Sequence, residues 1–241
     1  MSEHQKIKAR RLERKKAQQK TLILIVFGIA LVLSALLMMP FISQAILPAG
    51  DFVQPELDPR PGAKANAMGD PGAAVVIAEY SDFGCGHCGL FAQTKAKEID
   101  EKYVSTGKVY FVFHSVGGML GHPNSIVTAE AAYCAGDQNM FWAYHDLLYA
   151  NPATLFANMN KNLDKTLDAY AEALGLELDE FETCLSQNKY AQVVQQDMQD
   201  ALQAGVGETP SFVINGKLFL GDWTSGALED AIEAELSEGG Q

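Results

Sequence analysis

The first sustained pattern along the chain is an unbroken apolar one. From Thr21 to Met39 no position is charged, and Leu22, Ile23, Leu24, Ile25, Val26, Phe27, Ile29, Leu31, Val32, Leu33, Leu36 and Leu37 form a near-continuous run. A helix of that length can span a bilayer, so residues 21–40 are predicted to be a transmembrane anchor. Pro48-Ala49-Gly50 and then Pro55, Pro59, Pro61 and Gly62 interrupt any periodicity, which predicts an extended linker over 41–69. Folded sequence is expected over 70–241, beginning with the β-prone run Ala73-Ala74-Val75-Val76-Ile77-Ala78-Glu79-Tyr80.

From Cys85 the apolar spacing becomes helical, with Ala92, Ala96, Ile99 and Tyr103 on one side and Lys97, Glu98, Glu101 and Lys102 on the other. Val109-Tyr110-Phe111-Val112-Phe113 predicts a second strand, and strand, helix, strand of this size implies a crossover between parallel strands. Helical spacing then dominates from about Asn124 to Ala204, through Leu163, Leu167, Tyr170 and Leu174 and through Tyr190, Val193, Val194, Met198 and Ala201. This tract reads as a helical insertion over about 119–204. Ser211-Phe212-Val213-Ile214 and Lys217-Leu218-Phe219-Leu220 flank Asn215-Gly216, a pair suited to a type I′ hairpin turn. Thr224 or Ser225 is expected to cap a last helix that aligns Leu228, Ile232 and Leu236. The order is βαβ, helices, ββα, an α/β domain.

Charge adds orientation. Residues 1–20 hold eight Lys and Arg against Glu3 and Glu13, which predicts a basic tail on the cytoplasmic side of the anchor. Ten of the 18 basic and 28 of the 30 acidic residues lie beyond it, a net charge of −18 that argues against nucleic acid as a partner. A cleavable secretory signal is the competing reading, since Ser43-Gln44-Ala45 offers a small-x-small pattern, but the apolar run is longer than such signals use. On either reading Cys85, Cys88, Cys134 and Cys184 lie outside the cytoplasm, where disulfides persist.

The chemistry-bearing motif is Cys85-Gly86-His87-Cys88, at a change from strand to helix. A cysteine at a helix N-terminus faces unpaired N–H groups that stabilise its thiolate, and the two-residue gap lets both sulfurs meet across one turn. Cys85 is then the reactive thiol and Cys88 the shielded one. His87 either adds charge or an N–H donor near Cys85 or is an exposed loop residue. Glu79 either relays protons to Cys88 from an apolar strand or faces solvent from an edge. Zinc sites share the C-x-x-C spacing but recruit a second pair, which Cys134 and Cys184, in separate helical segments, do not supply. Those two are either linked or buried as free thiols. Thr209-Pro210 precedes the hairpin and is open to a cis peptide bond. His114 reads as a rim residue, and Phe141, Trp142 and Tyr144 as packing. No glycine-rich phosphate loop, H-E-x-x-H or Ser/His/Asp constellation is present in the sequence.

Residues 79–88 (Glu-Tyr-Ser-Asp-Phe-Gly-Cys-Gly-His-Cys), the helical insertion and Gly207-Glu208-Thr209-Pro210-Ser211-Phe212-Val213-Ile214-Asn215-Gly216 together resemble the DsbA-like branch of the thioredoxin superfamily, over about residue 70 to the C-terminus. The resemblance implies a thioredoxin fold, a nucleophilic Cys85, a resolving Cys88, a cis Pro210, a substrate-contacting backbone at Thr209 and a buried acid at Glu79. It is similar to anchored bacterial members in the segments around Cys134 and Cys184, which implies a structural disulfide between them. It further implies a thiol:disulfide oxidoreductase that needs no cofactor or metal. Reduced secreted proteins would be its substrates, and a membrane quinone reductase of the DsbB or VKOR type would reoxidise it. The Gly86-His87 pair resembles that of eukaryotic protein disulfide isomerase, which implies a less oxidising protein than relatives with Pro-His. Three other readings stand beside this: a disulfide reductase or isomerase, an anchored metal-binding or metallochaperone module built on Cys85, His87 and Cys88, and a folding scaffold that binds clients through its helical layer.

Overall fold

Regular spacing becomes regular structure at most of these positions in the computed structural model, which describes residues 3–46, 51–156 and 162–239. The chain divides into two units, residues 1–48 and 49–241.

The first unit is one helix, α1 (Glu3–Ile46). Its stretch Arg14–Met39 is long and apolar enough to cross a membrane; at 1.5 Å per residue it measures about 39 Å against a hydrocarbon core of about 30 Å. The helix does not stop at position 40. It continues through Pro40 to Ile46, so the first part of the expected linker is helical. Pro48-Ala49-Gly50 lies outside the described residues.

The second part of that linker is not a spacer either, because its side chains have partners in the folded unit. The Phe52 ring packs 4.7 Å from that of Tyr170, and Val53 exchanges two hydrogen bonds with the Asn151 side chain, both 2.7 Å. Arg60 is buried between Asp100, at 3.4 Å, and Asp146, at 3.1 Å. Ala67–Met68 forms a short strand, β1. Scattered prolines concealed these anchor points, since a segment held by single long-range contacts has no periodicity to read.

The strands β2 (Val75–Ser81), β3 (Val109–Ser115), β4 (Ser211–Ile214) and β5 (Lys217–Leu218) join β1 in one sheet of order β1-β3-β2-β4-β5. β2 runs parallel to β3 and antiparallel to β4, so it lies in the middle of the sheet and Glu79 pairs with Phe113 on one side and Phe212 on the other. Asn215 and Gly216 adopt positive φ (47° and 80°), as the hairpin turn requires. Between β2 and β3, α2 (Gly86–Gln93) breaks at Thr94 before α3 (Lys95–Ile99) and a π-helical turn at Asp100–Val104. The apolar spacing survives this break, since Ile99 and Tyr103 are both buried.

The insertion comprises α4 (Ser125–Gly136), α5 (Phe141–Ala150), α6 (Pro152–Phe156), α7 (Leu163–Ala173), α8 (Leu178–Ser186) and α9 (Ala191–Gln203); residues 157–161 of the expected tract lie outside the described residues. Phe141, Tyr144, Leu167, Tyr170 and Phe181 are fully buried among them. His114 sits at the rim, bonded through Nδ1 to Asp197 at 2.8 Å. The closing helix, α10 (Ala227–Gly239), is not capped as expected: Asp222 accepts from the Thr224 N–H at 2.9 Å and starts a 3-10 turn at Trp223–Ser225 instead. The Thr224 hydroxyl donates to that same carboxylate, and both Thr224 and Ser225 lie within this turn, separated from α10 by Gly226.

Cys134 of α4 and Cys184 of α8 are joined by a disulfide, with their Cα atoms 5.9 Å apart. The bond closes a loop of 50 residues, for which the chain-entropy treatment gives about 4 kcal/mol. Replacing both cysteines by alanine is expected to lower unfolding stability by about that amount in urea titrations. An unchanged midpoint would show that the bond does not staple the helical layer.

Candidate active site

The end of β2 and the start of α2 are joined by Asp82-Phe83-Gly84, a loop held by its own polar atoms. The buried Asp82 accepts from the Gly84 N–H at 2.8 Å and bonds His122 Nδ1 at 2.7 Å, while its carbonyl accepts from the Cys85 N–H at 2.9 Å. Gly84 is required by close approach, because a Cβ there would lie 2.6 Å from His122 Cβ. Cys85 is thereby fixed at the N-cap of α2 in extended conformation (φ −87°, ψ 121°).

That position sets the chemistry of the sulfur. The Cys85 thiol is lowered to about 5, mainly because the Cys88 thiol donates to it; burial opposes this, and the Thr209 side chain and the backbone N–H groups of Cys88 and His87 add to it. Cys88 is fully buried, and burial and then the hydrogen bond to Cys85 push its thiol strongly upward. Its sulfur also accepts from the Asp82 N–H at 3.5 Å. One thiol of the pair therefore ionises readily and the other holds its proton.

His87 is exposed, so it is the backbone N–H of this residue, not its ring, that acts on the Cys85 sulfur. Glu79 does not face solvent: it is 2% exposed on the central strand, and its Oε1 has no hydrogen-bond partner. Burial pushes its carboxyl up to about 8, with the Ser81 hydroxyl acting in the opposite direction. The Thr209-Pro210 peptide bond is cis and places the Thr209 carbonyl 3.5 Å from the Cys85 sulfur. A groove of about 400 Å³ runs from there between His87, Thr209, Pro210, Phe219, Leu220 and Trp223. A second cleft of about 280 Å³ opens beside Cys85 between Phe83, Leu90, Tyr149 and Phe156. Among the described residues no group of three or more His, Cys, Asp and Glu side chains is placed to hold a metal ion.

Sequence reasoning missed three groups that touch this site: Ser81, Tyr149 and the Asp82–His122 pair. Ser81 stands two positions after Glu79 on a strand, so the period of two puts both on one face and could have flagged it. Tyr149 and His122 arrive from the helical layer and a loop, and no local spacing announces them.

Comparison with known proteins bears on the whole unit. In Bacillus subtilis BdbD, whose crystal structure superposes with a TM-score of 0.62 at 19% identity, all of that chain and 78% of this one are covered. A Rickettsia conorii protein with a provisional protein-disulfide oxidoreductase name is 26% identical over 71% of this chain and 60% of its own length. The Na(+)/H(+) antiporter NhaA 1 of Salinispora arenicola is 33% identical over 68% of this chain, and this chain spans about a quarter of the length of that antiporter (24%). The Thioredoxin family model matches residues 63–234, which hold the sheet, the cysteine pair, the helical layer and most of α10, and the chain belongs to that family.

Proposed function

We propose that this protein is a thiol:disulfide oxidoreductase that works outside the cytoplasm, held to the membrane by α1, and that it passes the Cys85–Cys88 disulfide to reduced secreted or envelope proteins. The observation that carries the reading is the asymmetry of the pair: a half-exposed thiol at about 5 one helical turn from a buried thiol pushed far upward.

The chemistry follows from that asymmetry. A client thiolate attacks the exposed Cys85 sulfur of the oxidised protein, and Cys88 leaves. A second client thiol then attacks the client sulfur, and Cys85 leaves as a thiolate that is stable at neutral pH, which makes it a good leaving group. Glu79, with a carboxyl at about 8, is protonated at neutral pH and supplies the proton that Cys88 takes up. The groove beside Thr209 and Pro210 is where an extended client backbone would lie, with the Thr209 main chain as its polar contact. His87 borders the same groove and offers the client a ring that is free of the sulfur.

The basic tail and α1 support an N-terminus on the cytoplasmic side. Reoxidation of the dithiol is assigned to a membrane quinone reductase of the DsbB or VKOR type. A reductase or isomerase would use the same residues; the two are separated by trapping thiols in cells, where an oxidase rests oxidised and a reductase rests reduced.

Alkylation of the reduced protein by iodoacetamide tests the carrying observation. Its rate is expected to follow one titration centred near pH 5, and a midpoint near the ordinary thiol value of 9 would remove the basis for the proposal.

A further inference from the structure

Glu79 is too deeply placed to exchange protons directly with solvent, and Cys88 is equally buried; the groups between them decide how a proton passes. Alternation along β2 puts Ser81 on the same face as Glu79, and Ser81 is 0% exposed. The Cys88 sulfur abuts the end of this strand, held by the N–H of the next residue, Asp82. From the other side Tyr149 of α5 reaches in, its hydroxyl 3.0 Å from Ser81 Oγ. Tyr149 is itself fixed: its ring packs against Phe83 (4.9 Å) and His145 (4.8 Å), and its carbonyl accepts from Gln93 of α2 at 2.9 Å.

We propose that Ser81 is a catalytic proton carrier between Glu79 and Cys88, and that Tyr149 is the positioning residue that orients its hydroxyl. This rests on the oxidoreductase reading above and extends it to two residues. A serine hydroxyl has one hydrogen and two acceptor lone pairs. In this relay Tyr149, whose own proton is held firmly by burial, takes the donor's part in the 3.0 Å contact, one of the two directions open to a hydroxyl pair, and fills one lone pair. The remaining lone pair and the hydrogen are the two sites a relay needs. Consistent with this placement, the Ser81 hydroxyl acts on the ionisation of Glu79, Cys88 and Tyr149 alike.

In the oxidising direction the step balances as follows. A client thiolate forms a bond to Cys85 Sγ, the Cys85–Cys88 bond breaks, and its electron pair departs on Cys88 Sγ. The Ser81 hydroxyl proton moves to that sulfur while the Glu79 carboxyl proton moves to Ser81 Oγ. The products are a client–Cys85 mixed disulfide, a neutral Cys88 thiol, an intact Ser81 hydroxyl and a Glu79 carboxylate, which recovers its proton along the same path when Cys88 gives it up on reoxidation of the pair.

The test uses the oxidised full-length chain and reduced glutathione as the attacking thiol, followed by stopped flow in H₂O and D₂O. Ser81→Ala is expected to slow the first exchange by about 100-fold at pH 7, the low end for a positioned proton donor, and to lose the solvent isotope effect of the parent protein. Ser81→Thr keeps the hydroxyl and should recover most of the rate. Tyr149→Phe should slow exchange less than Ser81→Ala, and Cys85 alkylation in the reduced variants should be unaltered. Parent-like exchange in both Ser81→Ala and Tyr149→Phe, or an isotope effect that persists in Ser81→Ala, would overturn the relay. If Glu79→Gln alone slows exchange, the relay is wrong and the oxidoreductase reading stands; if the parent protein itself fails to react with glutathione, that reading falls first.

Discussion

Changing Cys85 to serine is expected to reduce disulfide transfer to the uncatalysed background, whereas changing Cys88 to serine is expected to trap a stable mixed disulfide. The two outcomes differ because the two sulfurs differ. In the proposed reaction every bond made to a client passes through Cys85, the thiol at the helix terminus, and a serine hydroxyl there has neither the low pKa nor the ability to form the bond. In the Cys88→Ser protein the client can still bond to Cys85. The serine O–H also keeps the donor that the Cys88 thiol supplied, so Cys85 remains reactive. What is lost is the neighbouring thiol that would displace the client. Incubation of each variant with a disulfide-bonded peptide, followed by non-reducing electrophoresis and mass spectrometry, reads the result. A mixed disulfide on Cys88 in the Cys85→Ser protein, or equal trapping by the two variants, would reverse the roles assigned to them.

The part of this site that lies within one stretch of chain was legible in the sequence. Cys85 and Cys88 could be placed at a helix N-terminus because the apolar spacing changes from strand to helix between Tyr80 and Ala92, and the hairpin after Pro210 announced itself through Asn215-Gly216. The parts assembled from distant segments were not. Tyr149 lies 68 positions from Ser81, and nothing in its own helix distinguishes a buried tyrosine that bonds another hydroxyl from one that only packs. Position in the sheet had the same effect on Glu79. Its burial depends on β2 being flanked by both β3 and β4, and the second of these comes 130 residues later in the chain, after the whole helical layer. Residues 51–69 read as a spacer for a related reason. Arg60 is ion-paired with Asp100 and Asp146, so a segment that reads as polar and proline-rich is tied down by partners far along the chain.

Central placement of Glu79 has a thermodynamic consequence that is separable from catalysis. Its carboxyl is at about 8 in the folded protein against an ordinary value of 4.5, and burial is the main cause. Because the folded-state value is raised, the neutral acid is compatible with the fold below pH 4.5, and stability is lost as pH rises from there through 8, where the unfolded chain releases a proton that the native state retains. At 1.36 kcal/mol for each pH unit across that interval the loss reaches about 5 kcal/mol by the top of the window, with about 3 kcal/mol of it already incurred at pH 7. Glu79→Gln keeps the shape and removes the ionisation. It is therefore expected to stabilise the protein at pH 7 by about 3 kcal/mol and to flatten the dependence between pH 4.5 and 8. It should at the same time slow exchange, because glutamine has no proton to release to the Cys88 side of the pair. Urea unfolding of both proteins across this range measures the first effect, and a variant that is no more stable than its parent at pH 8 would show that Glu79 is not held neutral. Stabilisation of the fold by Glu79→Gln together with slower exchange would mark Glu79 as present for the reaction and not for the architecture.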